Sequence, residues 1–304
     1  MAIGIGLGLA RFPFKDVDNF WRWVALCEDG GIDSLWQTDR LISNEPFLEC
    51  LTAIAAIAGA TKRVKFGMNV ASAALRDPLV LAKQCATIDF LSKGRLLPAF
   101  GIGSGNAPEW QATGRGTQGR GKRTDEALNI IAQLWRGHPA TLKGEYYHYQ
   151  NAVISPLPHQ QILPLWIGGS SNAAIKRTAR IGTGWQAGLE TPKQAGAAKK
   201  AIMQALTLTG RQIPDDHFGA GFFFRFGDKT DAINQREQAR IAKLAPRKDL
   251  RHTLAIGHEE IYQRIHQYHG EGMSKFILRP IGIDDNDLLT QTQQLIDEVL
   301  PQFE

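Results

Sequence analysis

Cysteine is scarce in this 304-residue chain: there are three, Cys27, Cys50 and Cys85. They lie far apart, each in an apolar stretch that reads as helix. An odd count at that spacing argues against a disulfide framework and against a structural metal centre. Buried free thiols point to a reducing compartment, so a cytoplasmic protein is expected. Long apolar runs are also missing. The longest, LTAIAAIAGA, is too short to cross a bilayer. The opening MAIGIGLGLARF has no basic leader region and reads as a strand. One-sided charge is lacking as well. The formal charge is +5, from 35 Lys and Arg against 30 Asp and Glu, and basic residues are dense only over 115–123 and 236–251. Neither stretch is an unbroken block, so both read as solvated faces; no nucleic acid and no membrane partner is expected. An anionic small molecule is compatible with the balance.

Familiar catalytic motifs are absent too. There is no G-x-S-x-G elbow and no P-loop. No His, Cys or acidic set has metal-ligand spacing, so no metal site is expected. His266 and His269 share one helical stretch without a carboxylate pattern and read as surface residues. The glycines of residues 101–105 lack the third glycine and the following helix of a dinucleotide fingerprint.

What the chain does have is alternation. Strand readings fall at 3–9, 34–38, 64–70, 96–102, 165–167, 185–189, 218–226 and 275–279. Helical readings fall between them, at 16–30, 47–60, 79–91, 125–135, after Ser171, 193–208, 259–269 and 287–300. Strands alternating with helices predict a parallel sheet. Eight such units in about this length favour a closed (β/α)8 TIM barrel with loop insertions, one domain over residues 1–304, rather than an open sheet. Residues 143–164, with prolines at 156, 158 and 164, read as an insertion. Residues 227–251 are polar and basic enough for a short mobile lid.

Chemistry in such a barrel belongs at the C-terminal strand ends. Strand two ends in Thr38-Asp39-Arg40, and strand three in Asn69, Val70 and then Ser72. Strand four runs into GIGSGNAPEW, which brings Gly103, Ser104, Asn106 and Glu109. Strand five ends in Gly168-Gly169-Ser170-Ser171; strand six carries Trp185 and Gln186, strand seven Arg225 and strand eight Arg279. Gly-Gly-Ser-Ser between a strand and a helix suits an anion. Glycines let main-chain N–H groups approach it, the helix dipole adds field, and serines donate hydroxyls. The same stretch also reads as a plain βα turn with Ser170 as N-cap. Asp39 could equally cap a turn, and Glu109 could cap or form an ion pair. Trp185 could pack in the core, Asn106 could bond only its turn, and Arg279 could meet a phosphate, a substrate carboxylate or a plain ion-pair partner.

Taken together, GGIDSLWQTDR, TKRVKFGMNV, DPLVLAKQCATIDFLSKGRLLPAFGIGSGNAPEW, DEALNIIAQLWRG, PLWIGGSS and GTGW resemble the bacterial luciferase-like family of flavin- or deazaflavin-dependent oxidoreductases. The similarity covers nearly the whole chain, most clearly residues 24–187. It implies a (β/α)8 barrel with FMN, or alternatively the deazaflavin coenzyme F420, lying across the strand ends. Gly168, Gly169, Ser170 and Ser171 match the family's phosphate-binding turn. Asn69-Val70 match a bond that is often a non-proline cis peptide behind the ring. Gly103, Ser104, Asn106 and Trp185 fall among the cofactor-side positions, and Glu109 matches an acidic residue near the cofactor. Asp39-Arg40 match a pair that is often Asp-His or Glu-His.

Arg40 is therefore a departure. Arginine is always charged and a poor acid or base, but it can anchor an anionic substrate or a reduced, anionic ring. Asp39, Arg40 and Glu109 are the catalytic candidates. The resemblance implies a monooxygenase or hydride-transfer enzyme acting on a small molecule, with a flavin reductase as a possible partner and a homodimer as assembly. The apolar second and third helices, with Leu51, Ile54, Ile57 and Leu81, offer an interface or serve as barrel packing. A non-catalytic flavin-binding protein on the same scaffold is the alternative, which Arg40 favours. A phosphosugar isomerase or aldolase fits poorly, since Lys65 and Lys275 stand at strand beginnings.

Overall fold

A computed structural model describes residues 2–244 and 250–303. Eight parallel strands form the frame: β1 (Gly4–Leu9), β2 (Ser34–Gln37), β3 (Lys65–Met68, resuming at Ala71–Ser72), β4 (Leu96–Leu97, resuming at Ala99–Gly101), β5 (Trp166–Gly168), β6 (Gly184–Gln186), β7 (Phe218–Ala220, resuming at Phe223–Arg225) and β8 (Lys275–Pro280). Each pairs with the next, and β8 pairs with β1, Gly6 opposite Ile277. The interrupted strands β3 and β4 pair through both segments, Phe66 opposite Leu96 and Ala71 opposite Phe100. The ring therefore closes, and the expected (β/α)8 barrel is what the chain forms.

Local signals set most helices. In α1 (Val17–Asp29) Asp16 caps by accepting from the Asp18 amide, and Gly30 ends the helix. Helix α2 (Cys50–Ala60) starts later than expected, with Glu49 as its cap. Asp77 and Pro78 open α3 (Pro78–Leu91). Helix α4 (Arg120–Trp135) begins earlier than the expected 125, because its cap is Gly119 in a left-handed conformation, with no capping side chain to read. Ser171 caps α5 (Asn172–Ile181), and a Thr191–Gln194 capping box opens α6 (Pro192–Thr209). Helices α7 (His258–Gly270) and α8 (Asp285–Gln294) complete the outer layer.

The insertion after α4 contains an antiparallel hairpin, Ala140–Lys143 with His148–Ala152. The 218–226 stretch is two segments rather than one strand. Its second half pairs with both β8 and an additional parallel strand, Leu254–Ile256. Between them the polar stretch read as a lid forms a helix, Ala232–Leu244; its residues 245–249 lie outside the described residues.

Inside the barrel, Trp36, Trp166, Ala99 and Ile277 pack with Val70 and Leu97. The two indoles meet edge to face, 6.5 Å between ring centroids. At about 200 Å² apiece, their burial is worth up to about 5 kcal/mol each. Inward-facing glycines admit them: a Cβ at Gly184 would lie 2.6 Å from the Trp166 ring, and one at Gly67 2.8 Å from that of Trp36. Outside the barrel, a second and larger apolar layer lies between strands and helices. It includes all three cysteines, which are free and buried. Leu51, Ile54, Ile57 and Leu81 belong to this layer, so they serve barrel packing within one protomer. At the N-terminal mouth Asp33 pairs with Lys275, and with Lys65 at 3.5 Å. Among the described residues no helix is long and apolar enough to cross a membrane.

Candidate active site

The polar rim lies at the opposite, C-terminal mouth. The Asn69–Val70 peptide is cis, and the Val70 side chain stands between the ends of β4 and β5. A Cβ at Gly101 would lie 2.8 Å from Val70 Cγ2, and one at Gly168 3.0 Å from Val70 Cγ1. The two strand ends thus accommodate Val70 only because they carry no side chain. Beside them, Gly103 has φ 66°, and a Cβ there would lie 2.8 Å from Ser72 Oγ. The Trp110 indole donates to the Ser104 carbonyl at 2.7 Å, while Ser104 and Asn106, both exposed, contact one another.

Two acidic groups on this rim have different surroundings. Asp39 has a 2% exposed side chain and all its oxygens engaged. It accepts from Arg76 at 2.7 and 2.8 Å and from the Ser72 amide at 2.9 Å. Arg76 also donates to Glu49 at 2.7 Å and lies 3.5 Å from Cys50 Sγ, so the cation among Asp39, Glu49 and Cys50 is this guanidinium. Burial pushes the Cys50 thiol well above its usual range, and the Asp39 charge adds to this. Arg76 carried no local signal in the sequence, since its partners are far along the chain. Glu109 is buried too, at the start of a short helix, Glu109–Ala112. Its Oε1 accepts from the Leu41 and Ile42 amides at 3.3 and 3.4 Å and lies 3.7 Å from Arg40. Its Oε2 is sealed from solvent and has no partner among the described residues. The structure therefore brings Arg40 and Glu109 together, and turns Asp39 toward Arg76.

At the β5–α5 junction Gly169 has φ 101°, and Ser171, not Ser170, is the cap, accepting from the Ala174 amide at 3.2 Å. That leaves the first amides of α5 open to a further acceptor. Ser170 Oγ donates instead to Glu190 at 2.7 Å. Glu190 also accepts from the Gly188 amide at 2.6 Å, and its carbonyl accepts from the Tyr268 hydroxyl. An acidic side chain thus sits against the expected anion seat, and nothing local in the sequence marked it. Trp185 is fully buried in the outer layer, with its indole donating to the Gly169 carbonyl at 2.8 Å, so it braces the turn from behind.

Gln186 points into the barrel with its Oε1 unpartnered. Arg279 lies within β8, and its Nη1 is sealed and unpartnered among the described residues. A cleft of about 220 Å³ opens beside the mouth; Arg11, Arg40, Phe47, Phe223 and Arg240 are on its walls. The basic residues of 115–123, read as a solvated face, belong largely to the first turn of α4. Arg123 lies over the Tyr146 ring at 4.7 Å, Lys122 pairs with Glu145 at 3.6 Å, and Arg120 lies against Gly105.

Comparison with known proteins agrees with this arrangement. A family model described as luciferase-like monooxygenase matches residues 4–292. An uncharacterised protein of Mycobacterium tuberculosis is 31% identical over 176 residues, 58% of this chain and 60% of that one; the match thus spans about three fifths of that relative's length. The F420-dependent glucose-6-phosphate dehydrogenase of Amycolatopsis mediterranei is 26% identical over 100% of this chain and 98% of its own. Among solved structures, the monooxygenase RslO1 of Streptomyces bottropensis superposes with a TM-score of 0.86 at 17% identity, covering 99% of this chain and 100% of that one. A match across nearly the whole barrel, rim included, means that the chain belongs to the luciferase-like monooxygenase family.

Proposed function

We propose that the chain is an oxidoreductase that lays the ring of coenzyme F420 or FMN across the C-terminal mouth and acts on a small organic substrate in the adjoining cleft. The observation that carries this is the rim itself. Gly101 and Gly168 carry no side chain and seat the Val70 methyls between the strand ends, and Glu109, Arg40 and the α5 turn follow strand ends of the same mouth. That mouth suits a flat ring, and the open amides of α5 suit its anionic tail. The bound ring supplies the hydride, or the oxygen activation, and the protein supplies position and electrostatics.

The residues divide the remaining work. Glu109 handles the substrate-side proton through its unpartnered Oε2, while the Leu41 and Ile42 amides fix the other oxygen. Arg40 orients Glu109 and holds negative charge that develops at the ring or substrate. Asp39 is a positioning residue that holds Arg76 and the end of β3 in place. Ser170, Ser171 and the first amides of α5 take the tail, and Gly103, Ser104 and Asn106 border the ring. Glu190 disfavours a doubly charged terminal phosphate there, which puts the deazaflavin ahead of FMN. With FMN, a separate flavin reductase supplies the reduced form. A homodimer is part of this reading, with exposed Val80, Phe90 and Leu91 of α3 as its apolar surface; gel filtration with light scattering tests it.

Titration of the purified protein with FMN, reduced FMN and F420 tests the whole reading, and no saturable binding of any of them rejects it. Arg40 in the usual histidine position favours one second reading, a non-catalytic binder. Sustained turnover with an alcohol and aldehyde panel excludes that reading.

A further inference from the structure

Among the described residues, well-buried arginines meet a carboxylate or a set of carbonyls. Arg76 meets Asp39 and Glu49, and Arg177 meets Asp125 at 2.8 Å. Arg225 meets Asp287 at 2.5 Å, Asn234 at 2.7 Å and the Ile281 carbonyl at 2.8 Å. Arg279 meets no carboxylate among the described residues. It projects to the inner face of β8, in the same row as Lys275 and Ile277. Its guanidinium lies over the Phe223 ring at 5.4 Å, and its Nη1 is sealed without an acceptor. Burial with no countercharge lowers its pKa to about 10. The side chain as a whole is half-buried, so a ligand can approach it.

A guanidinium nitrogen sealed without an acceptor is costly, and an oxyanion matches its planar fork of donors. The adjacent cleft is suited to that ligand. Phe223, on which Arg279 stacks, lines it, as do Pro280 and Ile281, the two residues after Arg279. Arg11, Arg40 and Arg240 line it against a single acid, Glu45. Arg11 and Arg40 keep only loose acidic partners, each at 3.7 Å.

We infer that Arg279 anchors an oxyanion carried by the substrate, a carboxylate or phosphate ester, drawn into the cleft by the arginines on its walls. This rests on the mouth being the reaction site. It makes the substrate a small organic acid or phosphate ester whose oxidisable or reducible carbon reaches the mouth beside Val70.

The test uses inorganic phosphate as the probe, read by thermal shift and calorimetry on the full chain. A Ser170→Glu background silences the α5 turn, so that the response comes from the cleft and the Arg279 variants resolve the share of Arg279 in it. Phosphate is expected to raise the melting temperature of that background. Adding Arg279→Met should weaken the phosphate Kd by about tenfold to a hundredfold, the worth of one charge-assisted bidentate contact. Arg279→Lys should recover part of the response, lacking the planar fork. Without phosphate, Arg279→Met should melt no lower than its parent, since it removes an unpaired charge. An unchanged phosphate response in Arg279→Met overturns the inference. So does a loss of F420 or FMN affinity in Arg279→Met alone, which would assign Arg279 to the cofactor. Failure of the unmodified chain to bind either cofactor rejects the proposed function instead, and the phosphate response is read separately from it.

Discussion

Replacing Glu190 by Gln tests the anion seat directly. In the folded protein the Glu190 carboxylate occupies the Ser170 hydroxyl at 2.7 Å. A phosphate that takes this hydroxyl must sit about 4–5 Å from the carboxylate unless Glu190 swings away. Two unit charges at that range repel by about 1 kcal/mol in water and about 4 kcal/mol at an effective dielectric constant of 20. The turn is half-exposed, so screening keeps the effect near the lower end, about 1–2 kcal/mol per phosphate charge. Glu190→Gln keeps the side chain's shape and removes the charge. For the two charges of the FMN phosphate this is about 2–4 kcal/mol, so FMN affinity should rise by about thirtyfold to several hundredfold at low salt. Riboflavin has the ring without the phosphate, and its affinity should not change. Flavin-fluorescence titrations of both ligands, at low salt and in 0.5 M NaCl, read the difference; the FMN gain should shrink in salt. An equal change for riboflavin, or none for FMN, would show that the tail does not reach the α5 turn.

Three other outcomes follow from the same geometry. Gly101→Ala places a methyl 2.8 Å from Val70 Cγ2, so an overpacking cost of about 1–3 kcal/mol should appear as a lower melting temperature together with weakened cofactor binding. Glu109→Gln should lower turnover by about 10²- to 10⁴-fold while cofactor Kd stays put, because the change removes the proton and keeps the shape; stopped-flow and steady-state rates check it. At the N-terminal mouth, burial pushes the Asp33 carboxyl up, but the charge and hydrogen bond of Lys275, the Lys65 charge and the Ser34 hydrogen bond together outweigh it, and the net pKa lies below the ordinary value. Burial dominates on Lys275 and lowers its pKa, so the carboxylate is the partner whose titration matters in acid. Its contribution is complete above the unfolded value of about 4 and disappears as pH falls through the folded one. Urea midpoints measured from pH 5 down to pH 3 should therefore fall more steeply for the unmodified protein than for Asp33→Asn.

How far these features were legible in the sequence depended on how far apart the interacting residues lie. Asp16, Asp77-Pro78 and Thr191-Pro192 announce helix starts through contacts within a few residues, and those helices lie close to where the pattern put them. Where a cap has no side chain, as at Gly119, the start of α4 was misplaced. FGAGFFFRF is apolar on both faces, so periodicity could not reveal the break at Gly221-Phe222 or the added strand Leu254–Ile256 that pairs with its second half. Residue types at strand ends located the rim. They could not say that Asp39 spends both oxygens on Arg76, 37 positions away, or that Ser170 turns to Glu190. Those contacts are tertiary, and no window along the chain contains them.

The two mouths of the barrel differ in the same physical currency, the satisfaction of buried polar groups. At the N-terminal mouth Asp33 gathers Lys275 and Lys65, and between strands and helices Arg95 donates to the Thr61 side chain and to the Val64, Ala58 and Thr61 carbonyls. Among the described residues, Glu109 Oε2 and Arg279 Nη1 at the C-terminal mouth are buried without partners, as is Gln186 Oε1 inside the barrel. Each such group costs free energy in the unliganded protein. Unpaired atoms also occur away from that mouth, at Trp166 and Tyr147, but Glu109 and Arg279 are ionisable, and an unpaired ionisable group costs more. Polar groups left unpaired on the inner face of the rim are groups for a ligand to satisfy. If so, cofactor and substrate together should raise the melting temperature by more than either alone, and differential scanning calorimetry of the ternary complex measures that gain directly.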